Sequence, residues 1–195
     1  MNFLAHALLA GSDHELRVGG LMGDFIKGPL PGSLPSSVAA GVALHRRIDG
    51  FADAHSAFRR SCSRVGPQRR RYAGVMVDMF YDHFLANHWA KFSDEPLDAF
   101  VATSYRLLSE HDHLLSDRHR EMATAMRTND WLSSYRSEKT IGYALDRMSL
   151  RLRRQPNALL GALEELSGAY AQFESDFLEF FPDAQAFSAA FTLAS

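Results

Sequence analysis

The chain has 195 residues, 46% hydrophobic and 23% charged, with one cysteine and a formal net charge of −2. That length suits one domain around one core, and the composition excludes disorder, an internal disulfide framework and a cysteine-based zinc site. No apolar run of about 18 residues exists to span a bilayer, and Met1-Asn2-Phe3-Leu4-Ala5-His6 lacks the basic region of a signal peptide, so a cytoplasmic protein with no membrane or nucleic-acid partner is expected.

The pattern predicts helices almost throughout. A short helix is expected over Asn2 to Leu9, ended by Gly11, and a second from about Asp13 to Lys27, ended by the Gly28-Pro29-Leu30-Pro31-Gly32 break. Ser36 or Ser37 caps a long helix to about Arg64, and Gly66-Pro67 stops it. The next runs from near Pro67 to about Phe92 and is the most apolar of the chain. Shorter amphipathic segments follow over Leu97 to Glu110, Ser116 to Arg127, Trp131 to Ser137 and Lys139 to Arg153. A final long helix covers Pro156 to Phe181, closed by Pro182. Period-two alternation and Asn-Gly or Asp-Gly turns are absent, so the expected fold is an all-α, single-domain helical bundle.

The chemistry is concentrated in the first half. His45 and Asp49, and again Asp78 and Asp82, are spaced i,i+4, which puts each pair on one side of a helix about one turn apart. Asp53 extends the first stripe, and His83 adds an imidazole to the second inside an apolar helix, where an unpartnered carboxylate would cost several kcal/mol or become protonated. A metal ion or arginines such as Arg46 and Arg47 would supply the missing partner. Asp24 lies in the glycine-rich segment Gly19 to Gly28, and His6 precedes it; each is a weak signal alone. His88 is read as a supporting residue, and His111, His113 and His119 as surface residues. A mixed His/Asp set suits Mn²⁺, Fe²⁺, Zn²⁺ or, less well, Mg²⁺, and such a site suits phosphoester hydrolysis. No nucleophile elbow is present, so acyl chemistry has little support.

Charge is unevenly spread. Between Ala54 and Val77 there is no carboxylate, yet Arg59, Arg60, Arg64, Arg69, Arg70 and Arg71 all occur. After Arg154 the reverse holds: no Lys or Arg occurs, while Glu164, Glu165, Glu174, Asp176, Glu179 and Asp183 do. The arginine stretch is a candidate surface for an acidic partner, although solvated faces that pair with each other would give the same pattern.

The assembled residues resemble the acyl carrier protein phosphodiesterases. The likeness rests on Met1 to His6, Gly23-Asp24-Phe25, Val42 to Asp49 with its His45-Arg46-Arg47-Ile48-Asp49, Asp53, and Val77 to Trp89 with Asp78 and Asp82-His83-Phe84-Leu85. The resemblance implies hydrolysis of the phosphodiester that links 4′-phosphopantetheine to a serine of holo-acyl carrier protein, usually with manganese. It also implies a helical architecture related to the HD phosphohydrolases, although their adjacent His-Asp is replaced by separated His45 and Asp49 and by Asp82-His83. On that reading His6, Asp24, His45, Asp49, Asp78 and Asp82 are expected to hold one or two Mn²⁺ ions. Arg46 or Arg47 would offset transition-state charge, and Asp24, Asp82 and His83 would take part in catalysis. Arg59, Arg60, Arg64 and Arg69 to Arg71 would dock the acidic carrier protein. Two other readings remain open: a phosphohydrolase of small nucleotides or phospholipid head groups, and a non-catalytic module that binds acidic proteins.

Overall fold

A computed structural model describes residues 1–150 and 158–193. The chain forms helices α1 (Phe3–Leu9), α2 (His14–Met22), α3 (Ser36–Ala54), α4 (Ser56–Arg64), α5 (Ala73–Asn87), α6 (Leu97–Glu110), α7 (Asp117–Thr128), α8 (Trp131–Ser134), α9 (Glu138–Ser149), α10 (Leu163–Gly168) and α11 (Tyr170–Leu193). Short 3₁₀ turns lie at Arg70–Tyr72, Trp89–Lys91 and Asp112–Leu114. No strand occurs among the described residues, so the fold is all-α as the sequence pattern predicts.

Four boundaries depart from expectation. Helix α2 stops at Met22, with Gly23 as its C-cap, rather than running on to about Lys27. The long helix breaks at His55, whose backbone is extended (φ −73°, ψ 136°) and whose Nδ1 accepts from the Ala57 amide to start α4. The apolar helix begins only at Ala73, after the 3₁₀ turn, and ends at Asn87. The last helix is two: α10 and α11, with α11 continuing through Pro182 to Leu193. Proline removes one ladder hydrogen bond, but Phe173, Phe177, Phe180, Phe181 and Ala184 around it are all fully buried, and that packing outweighs the local penalty. The predicted ends at Arg153 and Pro156 lie outside the described residues.

The core is built on α5, where Phe80, Tyr81, Phe84 and Leu85 have no exposed surface. From the far end of the chain α11 returns to cover it, with edge-to-face contacts between Phe80 and Phe173 (5.2 Å) and between Tyr81 and Phe177 (5.4 Å). A buried carboxylate clamps α11 to α4: Asp176 accepts from Arg60 (2.6 Å), Arg64 (2.8 Å) and the Ser61 hydroxyl (2.9 Å). On the other flank α2 and α3 touch backbone to backbone. A Cβ on Gly19 or Gly41 would overlap main-chain atoms of Val38 or Leu16, so only glycine permits that approach. Among the described residues no helix is long and apolar enough to cross a membrane.

Candidate metal centre

The close approach of α2 to α3, with α1 laid across α2, brings His6, His45 and Asp49 together. The two imidazoles stack, with ring centroids 3.6 Å apart and planes 18° from parallel. Asp49 spans them: Oδ1 lies 3.1 Å from His6 Nε2 and Oδ2 lies 3.3 Å from His45 Nε2. Asp24, just past α2, brings Oδ1 to 3.7 Å from the same His45 nitrogen. One donor atom from each of His6, His45 and Asp49 falls within a 4.8 Å cluster, a group able to hold a metal ion.

Two details fit the cluster to a metal. His45 Nδ1 donates to the Gly20 carbonyl (2.8 Å), which fixes the tautomer and leaves Nε2 facing the carboxylates. His6 is 1% exposed, its Nδ1 has no polar partner, and its Nε2 has only the Asp49 carboxylate, 3.1 Å away without the alignment of a hydrogen bond, although buried polar atoms are rarely left unsatisfied. Gly23 makes room for the arrangement, because a Cβ there would overlap the His45 ring.

The electrostatics follow from this packing. Burial pushes His6 down to about 4, so its imidazole is neutral at neutral pH. Burial also opposes charge on His45, but the carboxylates of Asp24 and Asp49 outweigh it and pull the ring up to about 9. His45 in turn holds Asp24 below the usual carboxylate range. Asp49 is held lower still: burial is outweighed by its two histidine neighbours.

The cluster opens into a cleft of about 300 Å³ lined by Asp24, Asp49, Asp53 and Asp78 together with Asn2, Val75, Met79 and Met148. Met1 lines it as well, its ammonium 2.6 Å from Asp78 Oδ1 and 3.4 Å from Asp49 Oδ1. Burial alone would lower this amine; Asp78 and Asp49 raise it to about 10.

Other expected site residues fall elsewhere. Asp82 is fully buried, and its carboxylate accepts the Leu4 (2.8 Å) and Ala5 (3.2 Å) amides, capping α1, the helix that carries His6. Its oxygens thus meet backbone rather than the histidine cluster. His83 lies outside the cleft lining; its ring nitrogens contact the Tyr135 carbonyl (2.8 Å) and the Tyr170 hydroxyl (3.0 Å). Arg46 donates to the carbonyls of Gly28 and Ile26, and so fastens the loop after Asp24. Arg47 lies over the Phe187 and Phe191 rings of α11. In the arginine stretch, Arg60 and Arg64 are taken up by Asp176, and Arg69 by Glu165 and the Ala158 and Leu160 carbonyls. Arg59 and Arg70 donate to the carbonyls of Asp53 and Val65, and Arg71 is exposed. His88 pairs with Glu174, and His119 stacks on Phe25. Sequence reasoning missed the roles of Gly20, Gly23 and Met148. The glycine-rich run hinted at the first two, but nothing local marks a methionine that arrives from α9.

Fold and site together define an all-helical protein with a His/Asp cluster able to hold a metal ion, whose Asp24 and Asp49 line an acidic cleft. The chain belongs to the acyl carrier protein phosphodiesterase family, whose profile matches residues 1–184. Similar proteins carrying that name come from Pectobacterium atrosepticum (31% identical, covering 93% of this chain and 94% of the relative), Klebsiella pneumoniae (34%, 93% and 94%) and Photorhabdus laumondii (31%, 93% and 92%). No solved structure matches the chain.

Proposed function

We propose that the protein is a metal-dependent phosphodiesterase that releases 4′-phosphopantetheine from the serine of holo-acyl carrier protein and leaves the apo protein. Family membership supports the substrate. The observation that carries the metal is the pair of stacked, buried histidines bridged by Asp49, with His6 left without a well-aligned hydrogen bond. The cleft adds a second argument. Four carboxylates line it and the single Met1 ammonium offsets only part of their charge, so a phosphodiester carrying its own negative charge would be repelled unless a further cation is held among them.

In this reading His6, His45 and Asp49 hold the ion, with Asp24 close enough to join them. The nitrogen-and-oxygen donor set suits Mn²⁺, with Fe²⁺, Zn²⁺ and Mg²⁺ as further candidates. A divalent ion held there supplies Lewis acidity toward a phosphoryl oxygen and makes a nearby water more acidic. The chain does the rest. The Gly20 carbonyl orients His45, Arg46 fastens the segment that carries Asp24, and Asp53, one turn beyond Asp49 on α3, reaches the cleft to take a proton from the attacking water. Asp82 acts by seating α1 so that His6 faces its partners. The protein works in the cytoplasm as a divergent HD-like enzyme, with His45 and Asp49 a turn apart in place of an adjacent His-Asp.

The test is incubation of the metal-stripped protein with holo-acyl carrier protein, with and without Mn²⁺, read by intact-protein mass. Mn²⁺-dependent loss of the phosphopantetheine mass is expected, together with its abolition in Asp49→Ala. Turnover that survives both chelation and Asp49→Ala would overturn the assignment.

A further inference from the structure

A residue at an amino terminus usually frays into solvent unless the fold ties it down. Here each of residues 2–5 is anchored. The Asn2 side chain donates to Met79 Sδ and to the Tyr135 hydroxyl (3.2 Å), Phe3 packs on Phe25, and Asp82 accepts the Leu4 and Ala5 amides. Met1 is thereby carried inside, where it is 6% exposed. Its ammonium meets two carboxylates of the cleft, Asp78 Oδ1 at 2.6 Å and Asp49 Oδ1 at 3.4 Å. That Asp49 oxygen is the same one that lies 3.1 Å from His6 Nε2. Asp49 is therefore shared: the histidine cluster holds one side of it and the amine the other.

The amine does more than neutralise a buried acid. Its partners stay open to the cleft, with 28% of the Asp78 side chain and 43% of the Asp49 side chain exposed, and Met1 itself lines the cavity. An ammonium has three protons to donate and no acceptor, so an oxygen that enters the cleft finds a donor there beyond the two carboxylate contacts. Among the described residues that line the cleft no lysine, arginine or histidine occurs. The Met1 ammonium is thus the positive group that the chain itself places on the cavity wall.

We infer that the Met1 α-ammonium is the second cation of this centre, bridged by Asp49 to the metal cluster, and that it donates to a non-bridging oxygen of the substrate phosphate. The inference rests on the function proposed above. A phosphodiester has two such oxygens, and positive charge on either side of Asp49 meets both. A fixed ammonium aimed at the phosphate needs no reorganisation as charge grows in the transition state, which is how preorganised donors accelerate reactions. The amine also fills the gap between Asp49 and Asp78 into which a second divalent ion would otherwise be drawn, so the centre takes one ion per chain.

The test compares three forms of the full chain, with the state of Met1 checked by peptide mass. One has a free amine, one is acetylated at Met1 by a co-expressed amino-terminal acetyltransferase, and one is reductively dimethylated so that the amine gains bulk but keeps its charge. Mn²⁺ binding, thermal melting, inhibition by inorganic phosphate, and turnover of holo-acyl carrier protein and of the small diester bis-p-nitrophenyl phosphate are read for each. The free-amine protein should take up about one Mn²⁺ per chain. Acetylation makes the ammonium a neutral amide, so kcat should fall about 100-fold on both diesters and phosphate should inhibit about tenfold less well. Mn²⁺ should nevertheless bind more tightly, because a positive charge beside Asp49 has gone. The dimethylated protein should keep kcat within about tenfold of the free-amine form. An amine that only supported the fold would lower melting temperature, Mn²⁺ affinity and turnover together, and that pattern would overturn the inference. So would two Mn²⁺ per free-amine chain, or a dimethylated protein as slow as the acetylated one. A free-amine, Mn²⁺-loaded protein that cleaves neither diester would remove the parent function and this inference with it; turnover insensitive to acetylation would remove the role of the amine alone.

Discussion

Two histidines a few ångströms apart have opposite proton affinities because their surroundings differ. His6 is buried with only Asp49 near one nitrogen and is neutral, because burial outweighs that carboxylate, whereas His45 sits between Asp24 and Asp49 and is pulled up to about 9. A metal ion needs the His45 lone pair, so binding must expel that proton. Calorimetry of Mn²⁺ binding at pH 7 in buffers of different ionisation enthalpy should report release of about one proton per site, and the apparent affinity should climb about tenfold per pH unit below pH 9. Binding with no proton release would mean that the ion bypasses His45. The sequence showed part of this arrangement. The i,i+4 spacing exposed His45 and Asp49, and their types marked a group able to hold a metal ion. The same spacing in Asp78 and Asp82 divides: Asp78 lines the cleft and shares the Met1 amine with Asp49, whereas Asp82 turns to the α1 amides, and in both cases the partner is more than seventy positions away. Helical periodicity says which side chains share a face, not what faces them.

The element most dependent on one side chain is α1. Its preceding residue, Asn2, makes no capping hydrogen bond, so Asp82 of α5 supplies both acceptors for the first turn. Asp82→Ala would leave two buried amides unpaired and should cost about 2–4 kcal/mol in urea unfolding. Burial pushes Asp82 up to about 7 against the pull of those amides, so its ionisation is harder in the fold than in the unfolded chain. Its contribution to stability is therefore full below about pH 4 and lost as pH rises toward 7, and Asp82→Asn should flatten that part of the pH–stability curve. A slope unchanged in Asp82→Asn would assign it to another group. At this scale the helical class was legible throughout, because apolar residues recur at helical spacing. The ends were less so. His55 breaks α3 from α4 with no glycine or proline to signal it, and Pro182 fails to end α11 because a run of buried phenylalanines holds the helix on the core. Both outcomes are decided by contacts that span more than a hundred positions.

For the whole molecule, the joint between its two ends is the Asp176 clamp. Burial alone would raise this carboxyl, but Arg64, Arg60 and Ser61 outweigh it and hold it below the usual carboxylate range. The clamp therefore stabilises fully above about pH 4 and is lost as pH falls through the lowered value. Asp176→Asn should cost about 3 kcal/mol at neutral pH, and that difference should shrink in acid, as thermal melting from pH 7 to pH 2 would show. A difference independent of pH would mean that the charge plays no part. The acid-free arginine stretch and the arginine-free tail, two opposed runs in the sequence, are in part this one joint seen from either side. The placement of the candidate ligands bears on the route of folding as well. His6, Asp24, His45 and Asp49 all lie between positions 6 and 49, on neighbouring helices joined by modest loops, whereas α11 must return across more than a hundred residues to reach α3 and α4. Short closures are entropically cheap and quick, and distant ones come late. The ligand-bearing helices are therefore poised to associate ahead of the tail, and an ion captured by that early hairpin would act as a nucleus for the remainder of the chain.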